Sequence, residues 1–299
     1  MKDDSTKQKM KEKTSYSKLT QVPDIETTDI LSDSERTPSY MMVGNRDNKN
    51  QKKQKLKWFT SYSKMSLLDT EKRLGFIVET FVSSAVPVNN MLATAQQECV
   101  RPGADAILNI KEKVYDAIVQ YLDIEGYPEL NPDFNEANIS DLVLYTIGPI
   151  ISSVKRFTGR NILLRREKEI VSTDSETGGK EEFVVIDLIS IMERNFVLII
   201  EAKRSSLAEA IKQCLLSLKD MRDNNGAGKV YGFITIGESW RMLSYDGTSF
   251  ETTQKIHLLF EGMEQEKERW MKDYSILVDC IYAVLSVGGI VKKDVTVVA

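Results

Sequence analysis

An apolar segment that carries three charges does most to constrain the fold of this 299-residue chain. Residues 183–204 read FVVIDLISIMERNFVLIIEAKR, two strongly apolar stretches joined by the polar sequence MERN. Strands that are apolar on both faces are usually buried on both faces. Asp187, Glu201 and Lys203 therefore lie in a setting where an unpaired charge costs several kcal/mol. The pattern predicts a central β-hairpin whose charges are compensated by one another or by a bound ion.

Charge divides the chain into a basic N-terminal arm and an acidic body. Residues 1–64 hold 14 Lys/Arg and 9 Asp/Glu, a local charge of +5, so the remainder carries −9 within the total of −4. We expect residues 1–65 to be a disordered basic arm, because they are polar and lack apolar periodicity. The cluster NKNQKKQKLK at residues 48–57 is typical of a nuclear-localisation signal, a phosphate-contacting arm or a solvated linker.

Histidine and cysteine usage excludes several classes of site. His257 is the single histidine, and Cys99, Cys214 and Cys280 are widely spaced without a CxxC pair. These features argue against His-rich metal sites, disulfide frameworks and Ser-His-Asp or Cys-His catalysis. The first residues lack the apolar core of a secretory signal, and the apolar residues 276–291 fall short of the roughly 20 that a membrane span needs. We expect an intracellular protein, nuclear or cytoplasmic, with free thiols and no membrane partner.

Hydrophobic periodicity predicts the order helix, three strands, helix, strand between residues 135 and 236. A hairpin-linked sheet followed by a helical crossover implies an α/β fold, with a mixed β-sheet and helices packed on it. We place this core at residues 131–262. A helical accessory segment is predicted at residues 66–130, and a C-terminal packing helix and tail at residues 263–299.

The predicted hairpin brings its charges together. Glu201 and Lys203 are two residues apart on a strand, so they share a face. A hairpin symmetric about Arg194 places Asp187 directly opposite Glu201, and facing carboxylates with Cβ atoms roughly 5 Å apart repel unless a cation separates them. Hard oxygen ligands without His or Cys suit Mg²⁺ or Mn²⁺, and the lysine can stabilise an oxyanion or a phosphate. The alternative is a structural ion-pair cluster at the end of the sheet.

This constellation resembles the PD-(D/E)XK nuclease superfamily. Asp187 is followed by the sequence EAK at residues 201–203 and then by a helix that carries Gln213. The resemblance covers about residues 135–247 and implies the αβββαβ, restriction-endonuclease-like core. It also implies an Mg²⁺- or Mn²⁺-dependent phosphodiesterase acting on DNA or RNA, with Asp187 and Glu201 as metal ligands. Lys203 would activate the attacking water and stabilise the charge of the transition state.

Two further positions follow from the same resemblance. Many members add an acidic metal ligand from the first core helix, for which Glu136 is the best match and Asp141 the second. Gln213 matches a glutamine that some members carry in the helix after the motif, although Ser217 replaces the tyrosine of the QxxxY variant. Ile186 stands where the signature has proline.

Other interpretations of the same sequence stay open. A protein that kept this fold without catalysis would serve as a nucleic-acid- or protein-binding module. A nuclear regulatory protein would instead act through its basic arm. The arginines beside the first predicted strand suit either phosphate contacts or a solvated face; they are Arg156, Arg160, Arg165 and Arg166.

Overall fold

The computed structural model describes residues 58–99, 102–204 and 206–290. Most of the predicted basic arm therefore lies outside the described residues. In chain order, the helices are α1 (Leu67–Leu74), α2 (Val78–Ser83), α3 (Val88–Gln97), α4 (Ala104–Glu125), α5 (Glu136–Thr158), α6 (Leu207–Asn225), α7 (Lys267–Arg269) and α8 (Ile276–Val287). The strands are β1 (Thr60–Ser61), β2 (Ile162–Val171), β3 (Thr177–Leu188), β4 (Arg194–Ala202), β5 (Val230–Thr235), β6 (Ser239–Tyr245), β7 (Phe250–Thr252) and β8 (Ile256–His257).

A single mixed sheet organises the domain. Strands β2, β3 and β4 form an antiparallel meander, β5 lies parallel to β4, and β6 returns antiparallel to β5. The short strands β7 and β8 pair with β6, and β1 pairs in parallel with the start of β3. Helix α6 provides the crossover that a parallel β4–β5 pair requires. The predicted α/β class with a mixed sheet and flanking helices is confirmed.

Each face of the sheet is covered by its own helices. One hydrophobic cluster joins α3, α4, α5 and α8 to Phe183 and Val185 of β3. The other joins α1, α2 and α6 to Val184 and Ile186 of the same strand. Alternate residues of β3 thus enter opposite clusters, as expected for a strand buried on both faces. The helices of residues 66–130 share these clusters, so they pack on the core directly.

Helix α5 is positioned by strong signals at both ends. Asn135 caps it by accepting a hydrogen bond from the Ala137 backbone N–H at 2.8 Å, and the Asn138 side chain accepts one from the Asn135 backbone N–H at 2.9 Å. Gly159, with φ of 70°, ends it. The helix continues through Pro149. Its length and apolar composition would suit a membrane span, but half of its most apolar window is buried within the domain, as in core helices of soluble proteins.

The C-terminal region is less regular than its apolar spacing predicts. A single long helix is expected from about residue 263 to residue 286. Instead a 3₁₀ turn (Met263–Gln265), α7, a π-helix (Trp270–Tyr274) and α8 follow one another. The buried Trp270 indole donates to the Leu258 carbonyl at 2.8 Å. Residues 250–257 likewise form two short strands, β7 and β8, and not one continuous strand.

Candidate active site

Three of the residues selected from the sequence meet at the C-terminal end of β4. The Lys203 ammonium group lies 3.0 Å from Glu201 Oε1 and 2.9 Å from Glu136 Oε1. Glu201 is the penultimate residue of β4 and its side chain is only 3% exposed. Glu136 is the first residue of α5, where a carboxylate also interacts favourably with the helix dipole, and its side chain is 51% exposed. The cluster thus runs from the sheet interior to the surface.

Asp187 does not belong to this cluster, and its predicted position opposite Glu201 is wrong. In the sheet Asp187 pairs with Asn195. Its carboxylate accepts a hydrogen bond from Arg160 Nε at 2.8 Å, and the same guanidinium donates to the carbonyls of Leu285 and Gly288 at 2.7 and 2.8 Å. The charge of Asp187 is therefore compensated by a structural ion pair that ties β3 to the end of α8.

The error comes from the position of the turn. The β3–β4 loop closes with backbone hydrogen bonds from Ile189 and Ser190 to the Glu193 carbonyl, each 3.0 Å long. The hairpin is therefore centred on Ile191, which is fully exposed, and the MERN sequence is partly strand. A bulge between Val185 and Ile186 then shifts the register by one further residue.

Glu182 takes the position that the sequence assigned to Asp187. The paired part of β3 and β4 ends at Phe183–Ile200, and extending that register by one residue would set Glu182 opposite Glu201. The Glu182 carboxyl group accepts a hydrogen bond from the Ala202 backbone and interacts electrostatically with Glu201, Lys203 and Glu136. Glu182 is therefore a third carboxylate near the lysine, after Glu201 and Glu136, and the sequence interpretation missed it.

Glu181 adds a fourth carboxyl group from the α6 face of the sheet. It accepts a hydrogen bond from Ser217 of α6 at 2.6 Å, and it lies within hydrogen-bonding reach of Glu201. Val184 also faces α6, although it lies three positions after Glu181 and an odd spacing should put the two on opposite faces, so the alternation of β3 reverses near Glu182. Glu167, across from Glu182 on β2, has a positive φ of 50°, which is rare for a non-glycine residue. This irregularity brings Glu181 onto the face of Glu201.

Burial and mutual repulsion perturb the acids of the cluster. Burial and the neighbouring charge of Glu201 raise the pKa of Glu181 well above its ordinary value and raise that of Glu182 to about 7. Burial also raises the pKa of Glu201, although Lys203 opposes the change. Burial lowers the pKa of Lys203, but the charges of Glu201 and Glu136 outweigh it, so this pKa lies above its ordinary value. The lysine is charged at neutral pH.

A pH-dependent loss of stability should follow from Glu182. Because its folded-state pKa is raised from 4.5 to about 7, its contribution is fully present below pH 4.5 and is lost as the pH rises through about 7. In EDTA, the free energy of unfolding of the wild type should therefore fall more steeply between pH 5 and pH 8 than that of Glu182→Gln. Urea denaturation at each pH measures this, with the exposed Glu261→Gln as the control. Equal slopes in the wild type and Glu182→Gln would contradict the assignment.

The side chains of the cluster are chemically suited to a divalent cation. Glu181 Oε2 and Glu182 Oε2 are buried and have no hydrogen-bond donor among the described residues. Carboxyl groups packed this closely need a proton or a cation between them. Within the described residues, no three carboxylate, imidazole or thiolate groups already form a metal-binding group, and the ammonium of Lys203 pairs with both Glu136 and Glu201. Holding a metal therefore requires these side chains to reorient.

The remaining sequence candidates lie at the margin of the cluster. Gln213 is half-buried on α6, one helical turn before Ser217, and Asp141 is exposed on α5, five residues after Glu136. The signal for the missed acids is present in the sequence: Glu181 and Glu182 directly precede one apolar run, as Glu201 ends the other.

In comparisons with known proteins, no protein-family model and no curated protein matches the chain.

Proposed function

We propose that the chain is an Mg²⁺- or Mn²⁺-dependent nuclease that hydrolyses phosphodiester bonds of DNA or RNA. The observation that carries this proposal is the convergence of Glu136 and Glu201 on Lys203 at the end of the central strand, with Glu182 close enough for its carboxyl group to interact electrostatically with all three. Acids with raised pKa values around a lysine are typical of catalytic sites, although ion-pair networks also produce them. The cluster offers hard oxygen ligands for a divalent ion and a fixed cation for a phosphate.

The arrangement of elements supports placing the chain in the PD-(D/E)XK superfamily. Helix α5, the meander β2–β3–β4, the crossover helix α6 and the parallel strand β5 follow the αβββαβ order that the resemblance implies. Helices α5 and α6 cover opposite faces of the sheet. The EAK sequence ends β4, the position at which the superfamily carries its motif. We infer that Glu182 stands in for the acid that the sequence assigned to Asp187.

The residues take distinct roles in this proposal. Glu182 and Glu201 would hold the metal from neighbouring strands, with Glu136 completing the site from α5. A bound Mg²⁺ supplies charge neutralisation at the phosphate and promotes ionisation of the attacking water. Lys203 orients that water and donates hydrogen bonds to the negative charge that develops in the transition state. Glu181, held by Ser217, fixes the orientation of Glu201.

A second candidate function is a nucleic-acid- or protein-binding module with the same fold but no catalysis. Lys203 already pairs with both Glu136 and Glu201, so the cluster is compensated without a metal. A structural ion-pair network of this kind would keep the sheet intact and would have no need for a divalent ion. The two functions differ in whether the carboxylates bind Mg²⁺.

A cleavage assay with matched variants tests the proposal. Wild-type protein should cleave labelled single- or double-stranded DNA or RNA in Mg²⁺ or Mn²⁺ and not in EDTA. Glu201→Gln and Glu182→Gln should lower the rate about 100-fold or more, since each removes charge placed to act in the transition state. Glu261→Gln, on an exposed loop, is the control. Cleavage that is equal in the wild type and both site variants would reject the catalytic proposal and favour the binding module.

A further inference from the structure

The four arginines near the first core strand separate into two groups in the structure. Arg160 is committed to Asp187 and to two carbonyls of the α8 end, and Arg156 donates to the Ser152 carbonyl within α5. The guanidinium groups of Arg165 and Arg166 are exposed and make no hydrogen bond or ion pair to another described residue. Seven of the ten described arginines do make such contacts, so this pair is unusual.

Register places these two arginines beside the candidate active site. Arg166 pairs with Phe183 and Arg165 with Val184 on β3. Phe183 is the neighbour of Glu182, and Glu201 lies on the next strand, so β2 and the acid cluster are roughly 10 Å apart across the sheet. Their positions on the outer strand leave both side chains accessible from the same edge of the sheet.

The two side chains differ in how they are held. The guanidinium of Arg166 lies 5.1 Å from the centre of the Phe183 ring, a cation–π contact that orients the group and leaves its edge N–H donors available. The partner of Arg165, Val184, belongs to the hydrophobic cluster on the α6 face, so Arg165 emerges on that side of the strand. The pair therefore presents donors on both faces of the edge strand.

Charge balance explains why a substrate would need them. The candidate active site contains four carboxyl groups and one ammonium, and the body of the chain is acidic. A polyanionic strand is repelled by such a surface unless cations flank it. Guanidinium groups with free donors match phosphate oxygens in geometry as well as in charge.

We propose that Arg165 and Arg166 bind the phosphate backbone of the substrate next to the candidate active site. This inference rests on the proposed nuclease function. Contacts of this type position the strand and carry no base specificity. They provide an electrostatic affinity that is independent of sequence.

Binding without cleavage tests the inference. The full chain carrying Glu201→Gln is titrated in EDTA against fluorescent DNA and RNA oligonucleotides of several sequences, at salt concentrations from about 50 to 200 mM. Adding Arg165→Ala and Arg166→Ala should weaken binding about 10-fold for every sequence. The slope of log K against log salt should become shallower by roughly 1.4 to 1.8, the value for two phosphate contacts. Arg165→Lys with Arg166→Lys should restore most of the affinity, because the charge is kept.

The chain offers a matched control with the same loss of charge. Arg156 lies 20 residues after Glu136 on α5, about 30 Å away, and Arg194 lies seven residues before Glu201 on β4, about 23 Å away. Arg156→Ala with Arg194→Ala should leave affinity and salt slope within about twofold of the parent. Thermal melting of both double variants should agree with that of the parent, since all four arginines are exposed.

The outcomes separate this inference from the proposed function. The inference would be overturned if both double variants lost affinity equally, if affinity fell for only one oligonucleotide sequence, or if it did not fall at all. Wild-type cleavage together with arginine-independent binding rejects the inference alone. Arginine-dependent binding without wild-type cleavage rejects the catalytic proposal and keeps the phosphate contacts. A chain that binds no nucleic acid overturns both.

Discussion

Lys203→Met should lower the rate of Mg²⁺-dependent cleavage about 100-fold or more, while Mg²⁺ still binds. The variant removes the ammonium that contacts Glu201 and Glu136, so a charge that forms in the transition state loses its nearest fixed donor. It also removes a competitor for the two carboxylates, so the Mg²⁺ affinity should be retained or increased. Cleavage kinetics and calorimetric Mg²⁺ titration measure the two effects separately.

Stability is the second readout for this variant. Glu201 loses its buried counter-ion, but a proton can neutralise it, because burial already raises its pKa. The free energy of unfolding should therefore fall by less than the roughly 3–5 kcal/mol that breaking a buried ion pair usually costs. Lys180→Met, an exposed lysine on β3, is the control and should change neither rate nor stability.

The result also distinguishes the two candidate functions. A structural ion-pair module would lose stability on Lys203→Met, and it would show no carboxylate-dependent Mg²⁺ binding in the variant or the wild type. A nuclease would retain Mg²⁺ binding, and saturating Mg²⁺ should raise the melting temperature of the folded variant by mass action. Unchanged cleavage by a well-folded Lys203→Met protein would remove the lysine from the mechanism.

Local pattern was sufficient to predict the architecture. Apolar runs and turn residues are short-range signals, and they specified α5, the meander, α6 and β5 to within a few residues. Strand alternation predicted that Glu201 and Lys203 share a face, and the resemblance selected Glu136, which does contact Lys203.

Register could not be predicted in the same way. The loop between β3 and β4 contains Ile189, Ile191 and Met192, all exposed, and apolar side chains in a turn resemble strand residues in the sequence. Moving the turn by a few residues along the chain changes which acidic residues of β3 and β4 lie opposite one another. The positive φ of Glu167 and the bulge near Val185 add further shifts that depend on tertiary packing. Asp187 was misplaced for these reasons, and Glu181 and Glu182 were missed.

Asp187 is expected to support folding and to have no part in catalysis. Arg160→Ala leaves the Asp187 carboxylate, whose side chain is 9% exposed, without its cation and removes the donor to the Leu285 and Gly288 carbonyls. Breaking a buried ion pair in this way costs about 3–5 kcal/mol, a large part of the 5–15 kcal/mol that typically stabilises a domain. Asp187→Asn should cost less, roughly 1–3 kcal/mol, because Arg160 keeps its two carbonyl acceptors. Urea denaturation followed by tryptophan fluorescence measures both, with the exposed Arg156→Ala as the control.

Comparison of Asp187→Asn with Glu182→Gln then decides which acid belongs to the site. At a temperature where both proteins are folded, Asp187→Asn should cleave at close to the wild-type rate, whereas Glu182→Gln should be about 100-fold slower. Both substitutions replace a carboxyl group by an amide on the same strand, five residues apart, and only Glu182 lies near Glu201 and Lys203. A folded Asp187→Asn protein that no longer cleaves would show that Asp187 belongs to the active site. The acid chosen from the strand register, Glu182, would then be the wrong one. Loss of stability without loss of activity would instead show that Asp187 serves only in the structural ion pair with Arg160, which joins β3 to the end of α8.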